Sequence, residues 1–378
     1  MINITKSDNK LKYSAIYNID KQLNDIRDMK KILFERSSDS NLILDDHYGK
    51  LFTKSVYDNN NSLYGNSVTM DYYVDFDEEY EIIDFLRVPY RKVPVFKVNS
   101  NDEAKQIIEN IIEKRDNYQV LLRGQVKQYS LPERTEEDLF KLYGDKNAIE
   151  PSFLSSFCRE KLDEKFIRCL WNWQGRILLN DIYVELKNIL PREQFNEYII
   201  SKDQIEGTMY LSYFSLGMAQ HYGLPSIGLD LTDNYETALS FASNNLIREK
   251  NGNFISSKSN DFSQAMIYVF SCPKNVVFSY KSTKPSHFPL CRPDYQDAWF
   301  GYVGWGNARN DMAMYLDCCI KVTPELYDEI DPEYFNKLFP TCDKDPILEI
   351  FNNLKNNKNY SEQVRNIFAK VYDVRCCK

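Results

Sequence analysis

The sequence predicts an α+β protein: a mixed or antiparallel sheet with helices around it, an N-terminal extension and a helical C-terminal tail. Three observations carry that expectation. Residues 118–122 are an apolar run closing in Arg123-Gly124-Gln125, as a buried strand does. Residues 219–232 read as a tight turn and a short strand, and a helix follows directly. Residues 265–270 are a second strong strand, and beyond residue 322 each helix start carries a cap and a proline.

Taken in order, residues 1–98 form an extension without an interpretable motif. A helix is expected over 20–34, a loop at 59–62, and strands over 68–76 and 93–98. Ser100 and Glu103 have capping-box spacing, and Ala104, Ile107, Ile108, Ile111 and Ile112 repeat at helical intervals, so 100–113 is a helix. Asp116-Asn117 ends it before the strand at 118–122. Helices are expected over 136–143, 159–173, 178–189 and 192–200, with Trp171 and Trp173 as packing residues.

In the central stretch Gly223 and Pro225 supply the turn, and Leu229 and Leu231 alternate with Asp230 and Thr232 along a strand. Asp233 and Glu236 then have N-cap and N3 spacing, with Tyr235, Ala238, Leu239, Ala242 and Leu246 as the helical stripe. Residues 251–261 read as a polar loop, 276–278 as a weak strand, 301–306 as a turn and 312–322 as a strand or buried segment. The chain divides into an extension (1–98), a central domain (99–322) and a helical tail (323–378).

Composition narrows the class. The apolar and charged fractions, 43% and 27%, are those of a globular chain, and no run is long enough to span a membrane. The residues from Met1 to Lys6 lack a basic-then-apolar leader, and nine scattered cysteines form no C-x-x-C, so reduced thiols in a cytoplasm are expected. With three histidines and no paired ligand spacing, no metal site is expected. A net charge of −8 disfavours a protein whose task is to coat duplex nucleic acid.

Chemistry concentrates where the strand hands over to the helix. His221, Asp230 and Thr232 gather there, beside free backbone N–H groups that suit an anionic ligand. Arg123 is either a sheet-edge arginine pairing with a carboxylate or an anion ligand, with Gly124 leaving the backbone open beside it. His221 either donates to a ligand or ties the turn together, and Tyr222 either stacks on a ligand or packs. Asp230 and Glu236 each either supply negative charge or only cap the helix, Asp233 is a cap, Gln220 is structural, and Arg292 binds phosphate or pairs with Asp294 or Asp297.

Three pieces in this order resemble the FRG family, which shows Phe-Arg-Gly-Gln, then Ala-Gln-His-Tyr-Gly-Leu-Pro-Thr-Arg-Leu-Leu-Asp-Trp-Thr before a helix with Ala-x-x-Phe-Ala, then Arg and Gln-x-Gly-x-Phe. Here they are Leu122-Arg123-Gly124-Gln125; Ala219-Gln220-His221-Tyr222-Gly223-Leu224-Pro225 running on to Thr232 and Ala238-Leu239-Ser240-Phe241-Ala242; and Arg292 with Gln296-Asp297-Ala298-Trp299-Phe300. The likeness spans roughly residues 100–322. Ile227 and Leu231 stand where the family has arginine and tryptophan.

FRG domains in turn resemble the ADP-ribosyltransferase superfamily, which implies a split sheet and NAD as substrate. The resemblance puts Arg123 on the NAD phosphate and ribose, Thr232 at the nicotinamide pocket and Gln296 where a glutamate bonds the ribose hydroxyl. His221 joins these as a catalytic candidate, and Arg123, Gly124, His221, Tyr222, Asp230 and Arg292 are the expected NAD-binding residues. The implied activity is transfer of ADP-ribose to a macromolecular acceptor, a protein rather than a nucleic acid, or hydrolysis of NAD. Such an activity suits a toxin or a phage-defence effector; the alternative is a non-catalytic nucleotide-sensing or protein-binding module.

Overall fold

The structure is a computed structural model that describes residues 42–45, 47–53, 62–64, 80–132, 134–160, 162–250, 253–302, 310–331 and 333–376. The helix expected over 20–34, most of the loop at 59–62, the strand at 68–76 and residues 303–306 of the expected turn lie outside them.

Two short strands, β1 (Leu42–Asp45) and β2 (Lys50–Thr53), pair antiparallel. Next come β3 (Glu81–Val88), β4 (Arg91–Lys97), helix α1 (Asn101–Lys114) and β5 (Tyr118–Gln125). A helical block follows: α2 (Glu136–Tyr143), α3 (Ser156–Glu160), α4 (Glu164–Ile189), α5 (Arg192–Glu206) and α6 (Tyr210–His221). Then come β6 (Gly228–Thr232), α7 (Tyr235–Ser243), β7 (Asn244–Arg248), β8 (Phe254–Lys258), β9 (Met266–Pro273) and β10 (Val277–Ser279). The last elements are α8 (Tyr280–Thr283), α9 (Arg292–Tyr295), β11 (Ala298–Tyr302), a 3₁₀ turn (Asp311–Tyr315), β12 (Leu316–Lys321), α10 (Pro324–Asp328), α11 (Tyr334–Lys337), α12 (Pro346–Asn356), α13 (Glu362–Phe368) and β13 (Val374–Cys376).

Eight strands make one mixed, largely antiparallel sheet in the order β10-β11-β6-β5-β9-β12-β4-β3. Only the β12–β4 pairing in it is parallel. The α+β class expected from the sequence is therefore what the chain adopts. β3 and β4 belong to this sheet although they lie within residues 1–98.

The inner strands of the sheet are buried on both faces, and the period of two sorts their side chains. Val120 and Leu122 of β5 pack with Ala104, Ile107 and Ile111 of α1 and with Ala238 and Leu239 of α7. Leu121 points the other way, toward Phe153, Tyr268 and Phe270. β5 meets β6 at a single residue pair, Leu122 with Thr232, while it pairs with β9 along its whole length. β5 and β6 thus part beside Arg123. α7 closes the gap from one side, and Gly124 makes this possible: a Cβ there would lie 1.7 Å from the Ala238 carbonyl oxygen.

Several local expectations give way to tertiary packing. Two helices were expected over 159–189, but α4 is continuous through Gly175. Ile167, Leu170, Trp171, Leu178, Leu179, Ile182 and Leu186 bury one stripe, and that outweighs the roughly 1 kcal/mol cost of an internal glycine. Trp171 is a packing residue whose indole donates to the Pro225 carbonyl at 2.8 Å. The expected polar loop at 251–261 holds β8, which β7 and β13 flank in a three-stranded sheet. The helix after β6 stops at Ser243, and Leu246 lies on β7. Gly301 and Tyr302 belong to strand β11 rather than to a turn. The cap of α7 is Asn234, which accepts from the Thr237 N–H; Asp233 instead accepts from the Trp299 indole at 3.0 Å.

Candidate functional site

The split between β5 and β6 opens a cavity of about 120 Å³. Arg123 and Gly124 reach it from β5, Asp230 and Thr232 from β6, and His221 from the end of α6. Gln296, which follows α9, and Phe241 of α7 complete the wall. The three segments that carry the FRG resemblance therefore converge. Two further wall residues, Phe339 and Tyr372, come from the tail.

Asp230 is the hub of the polar contacts. Its backbone carbonyl accepts from an Arg123 guanidinium nitrogen at 2.6 Å, and its Oδ2 accepts from Gln220 Nε2 at 3.0 Å. Gln220 in turn accepts from the Ser226 hydroxyl, which also accepts from the Gly228 N–H, so this glutamine fixes the turn to the strand. Asp230 Oδ1 is buried and has no partner, although the side chain as a whole is 42% exposed. Arg123 Nε is likewise buried and unpartnered. Burial lowers the Arg123 pKa from its ordinary value, against the pull of Asp230.

His221 is buried, and its Nδ1 lies 3.2 Å from Gln296 Oε1. The Gln296 amide nitrogen donates to the Leu338 carbonyl at 3.0 Å, so its oxygen faces the imidazole and Nδ1 carries the proton. Burial, again opposed by Asp230, holds the His221 pKa below its usual value, and the ring is neutral near pH 7. Its Nε2 is then a bare acceptor without a partner, 3.8 Å from Asp230 Oδ1. The residues lining the cavity thus carry one buried unpartnered donor (Arg123 Nε) and two buried unpartnered acceptors, and Phe241, Phe339 and Tyr372 make part of its wall aromatic. A ligand satisfies all three atoms only if it carries both an acceptor and donors.

The remaining sequence-predicted residues take other parts. The Thr232 hydroxyl lines the cavity but donates to the Gln296 carbonyl at 3.0 Å and accepts from the Asn234 N–H, clasping β6 to the residues after α9. Tyr222 and Arg292 do not line the cavity. The Tyr222 hydroxyl donates to Asp345, and the Arg292 guanidinium lies 4.7, 5.0 and 5.4 Å from the Tyr222, Tyr372 and Phe339 ring centres. Arg292 also donates to the carbonyls of His221 and Tyr372, so it braces the tail against the site. Glu236 is engaged by Lys105 at 2.6 Å and is absent from the wall, which leaves Asp230 as the carboxylate that faces the cavity.

Beyond Arg123 and Phe241 the cavity adjoins an open groove of about 1020 Å³, also lined by Lys127, Tyr129, Arg159 and Asp261. Sequence reasoning missed Phe339, Tyr372, Lys127 and Arg159. Phe241 was visible in the Ala-x-x-Phe-Ala run, whereas no motif marked the other four. Among the described residues, no cluster of three or more His, Cys, Asp or Glu could hold a metal, and no helix is long and apolar enough to cross a membrane. No protein-family model matches the chain, and neither the curated proteins nor the solved structures compared with it contain a match.

Proposed function

We propose that the chain binds NAD with its nicotinamide end in the inner cavity, breaks the nicotinamide–ribose bond, and transfers ADP-ribose to a macromolecular acceptor or to water. The observation that carries this reading is that three residues lining one cavity where β5 and β6 part, Arg123, His221 and Asp230, each carry a buried polar atom without a hydrogen-bond partner (Nε, Nε2 and Oδ1). A carboxamide on a flat ring matches them: its oxygen accepts from the guanidinium and its NH₂ donates to the imidazole and the carboxylate. A volume of about 120 Å³ suits one ring, well under the roughly 300 Å³ at which whole-ligand pockets begin. The ADP-ribosyltransferase-like fold belongs to the same proposal and is supported by the single β5–β6 pair and by α7 packed on Gly124.

The chemistry follows from the charges. Heterolysis sends the bonding pair out with nicotinamide and leaves positive charge on the ribose, which the Asp230 carboxylate stabilises. The attacking hydroxyl or water gives up its proton to solvent, because His221 Nε2 is engaged by the carboxamide. A non-catalytic NAD sensor is the second reading, favoured because the Gln296 side chain is committed to His221 and Leu338.

Incubation with labelled NAD and lysate tests both. Label in protein means transfer to the expected acceptor, nicotinamide release without label means hydrolysis, and binding without release means a sensor. Arg123→Ala is expected to abolish binding and release together; unchanged release in that variant removes Arg123 from the site.

A further inference from the structure

The open groove combines a charge balance opposite to that of the chain with a free strand edge. The protein has a net charge of −8, yet the groove presents Arg123, Lys127 and Arg159 against one lining carboxylate, Asp261. That carboxylate accepts from the Ser263 N–H at 2.8 Å. Lys127 and Arg159 are exposed, and their side chains make no hydrogen bond or ion pair with any described residue. Glu160, the acidic neighbour of Arg159 in sequence, is taken by Lys370. Burial, and Arg159 after it, lower the Arg123 pKa against the pull of Asp230, so the two guanidinium groups lie close together. Asn244, Asn245 and Leu246 of β7 form another part of the lining. β7 pairs with β8 on one side and, among the described residues, with no strand on the other. An edge strand leaves a row of backbone N–H and C=O groups open to a further strand. Ile247 of β7 is 57% exposed, and Arg248 at its end is exposed and makes no ion pair with a described residue.

We infer that this groove docks an acidic polypeptide segment in extended conformation: its backbone adds a strand to the free edge of β7, and its carboxylates meet Arg159 and Lys127. In an extended segment every second side chain lies on the same side, so acidic residues at alternate positions present one row of carboxylates. Guanidinium groups bind such carboxylates bidentately. The free edge decides between the two polyanions that the charge pattern could attract. Strand addition uses backbone N–H and C=O groups that a nucleic acid lacks. A nucleic acid would also carry its charges past the groove along a protein of net negative charge. The docking stands on the groove alone. Its consequence for the chemistry rests on the NAD reading: because the groove opens on the inner cavity at Arg123 and Phe241, the docked segment is then the protein acceptor.

The test is fluorescence anisotropy of the full chain with a labelled, capped peptide that alternates Glu and Thr, at low and at moderate salt. The peptide is expected to bind, its counterpart with Gln in place of Glu to bind at least about 10-fold more weakly, and the affinity to fall with salt. Arg159→Glu should weaken the Glu peptide roughly 10- to 100-fold and Lys127→Ala less, by loss of charge-assisted hydrogen bonds. Both side chains are exposed, so both variants should fold. Two further peptides, N-methylated at alternate residues in opposite phase, read the backbone pairing: one phase should lose binding and the other keep it, because only every second N–H points at the edge. No binding of the Glu peptide, binding unchanged in Arg159→Glu, equal binding of both methylated phases and the parent, or tighter binding of a single-stranded oligonucleotide would each overturn the assignment. Peptide binding that depends on Arg159 without nicotinamide release from NAD retains the docking site and removes the enzymatic reading. Nicotinamide release with no peptide binding does the reverse.

Discussion

Two buried arginines in this protein live under opposite rules. Arg134 sits between Asp45 and Glu150, with its Nε 2.7 Å from Glu150 and a terminal nitrogen 2.9 Å from Asp45. The Tyr64 and Tyr143 hydroxyls donate to the same two carboxylates, and none of these three charged side chains has a buried atom without a partner. Arg123, with its neighbours His221 and Asp230, leaves three polar atoms unpartnered around a cavity. Burying polar groups without partners costs stability, so a fold retains them where something else satisfies them. The first cluster ties Asp45 and Tyr64 to Arg134 and Glu150 with its buried valences filled; the second leaves its valences open. Burial of charge by itself separates nothing, and satisfaction of the charge does.

The sharpest way to break this comparison is to remove each arginine. Arg134→Ala strands two buried carboxylates and should destabilise the protein by about 3–5 kcal/mol in denaturant unfolding. If Arg123→Ala costs as much, the two clusters are alike and the contrast fails. The next effect is on turnover. Asp230→Asn keeps the shape but removes the charge proposed to face the ribose, and on that proposal nicotinamide release should fall by roughly 10²- to 10³-fold. Loss of folding in that variant, seen by circular dichroism, would instead make Asp230 structural.

A pH series sharpens the picture of His221. Its folded pKa lies below the ordinary 6.5 because burial disfavours the charged ring. As pH falls below about 6.5, the unfolded chain takes up the proton before the folded one, so His221 contributes stability that is full above that pH and is lost on acidification. Wild type minus His221→Gln should therefore show a stability difference that declines by up to about 1.4 kcal/mol per pH unit in that window. Glu150, Asp317 and Asp345, whose pKa values burial raises, bend the profile the other way, but they are present in both proteins and cancel. A flat difference would mean that the ring is protonated in the fold. The smallest effect is expected at Glu236→Gln, which breaks a partly exposed pair with Lys105 worth about 0.2–1 kcal/mol and should leave NAD turnover unchanged. A large loss of turnover there would move the catalytic carboxylate from Asp230 to Glu236.

Much of the fold was legible because it is local. The Ile stripe of α1 and its Ser100 cap, the alternation along β6, and the apolar run of β5 each declare themselves within a dozen residues. Where the pattern was weak, partners far along the chain decided. β8 reads as part of a polar loop because Ser and Asn run through residues 251–261, and only pairing with β7 and β13 makes it a strand. Asp233 lost the cap of α7 to Asn234 because the Trp299 indole, 66 residues away, takes its carboxylate.

The site divides along the same line. The sequence alone determined that Arg123 ends the apolar run of a strand, that His221 precedes a turn and Asp230 lies on the short strand after it, and that Gln296 follows a late arginine. Side-chain type and local periodicity suffice for that. Only the tertiary structure decided which of these face the cavity and which are consumed in holding it. Arg292 and Tyr222 turn to the tail, Thr232 and Gln296 spend their hydrogen bonds within the protein, and Phe339 and Tyr372 close the wall. The physical reason is that a polar atom's freedom depends on partners brought from distant residues, and no local pattern records their arrival.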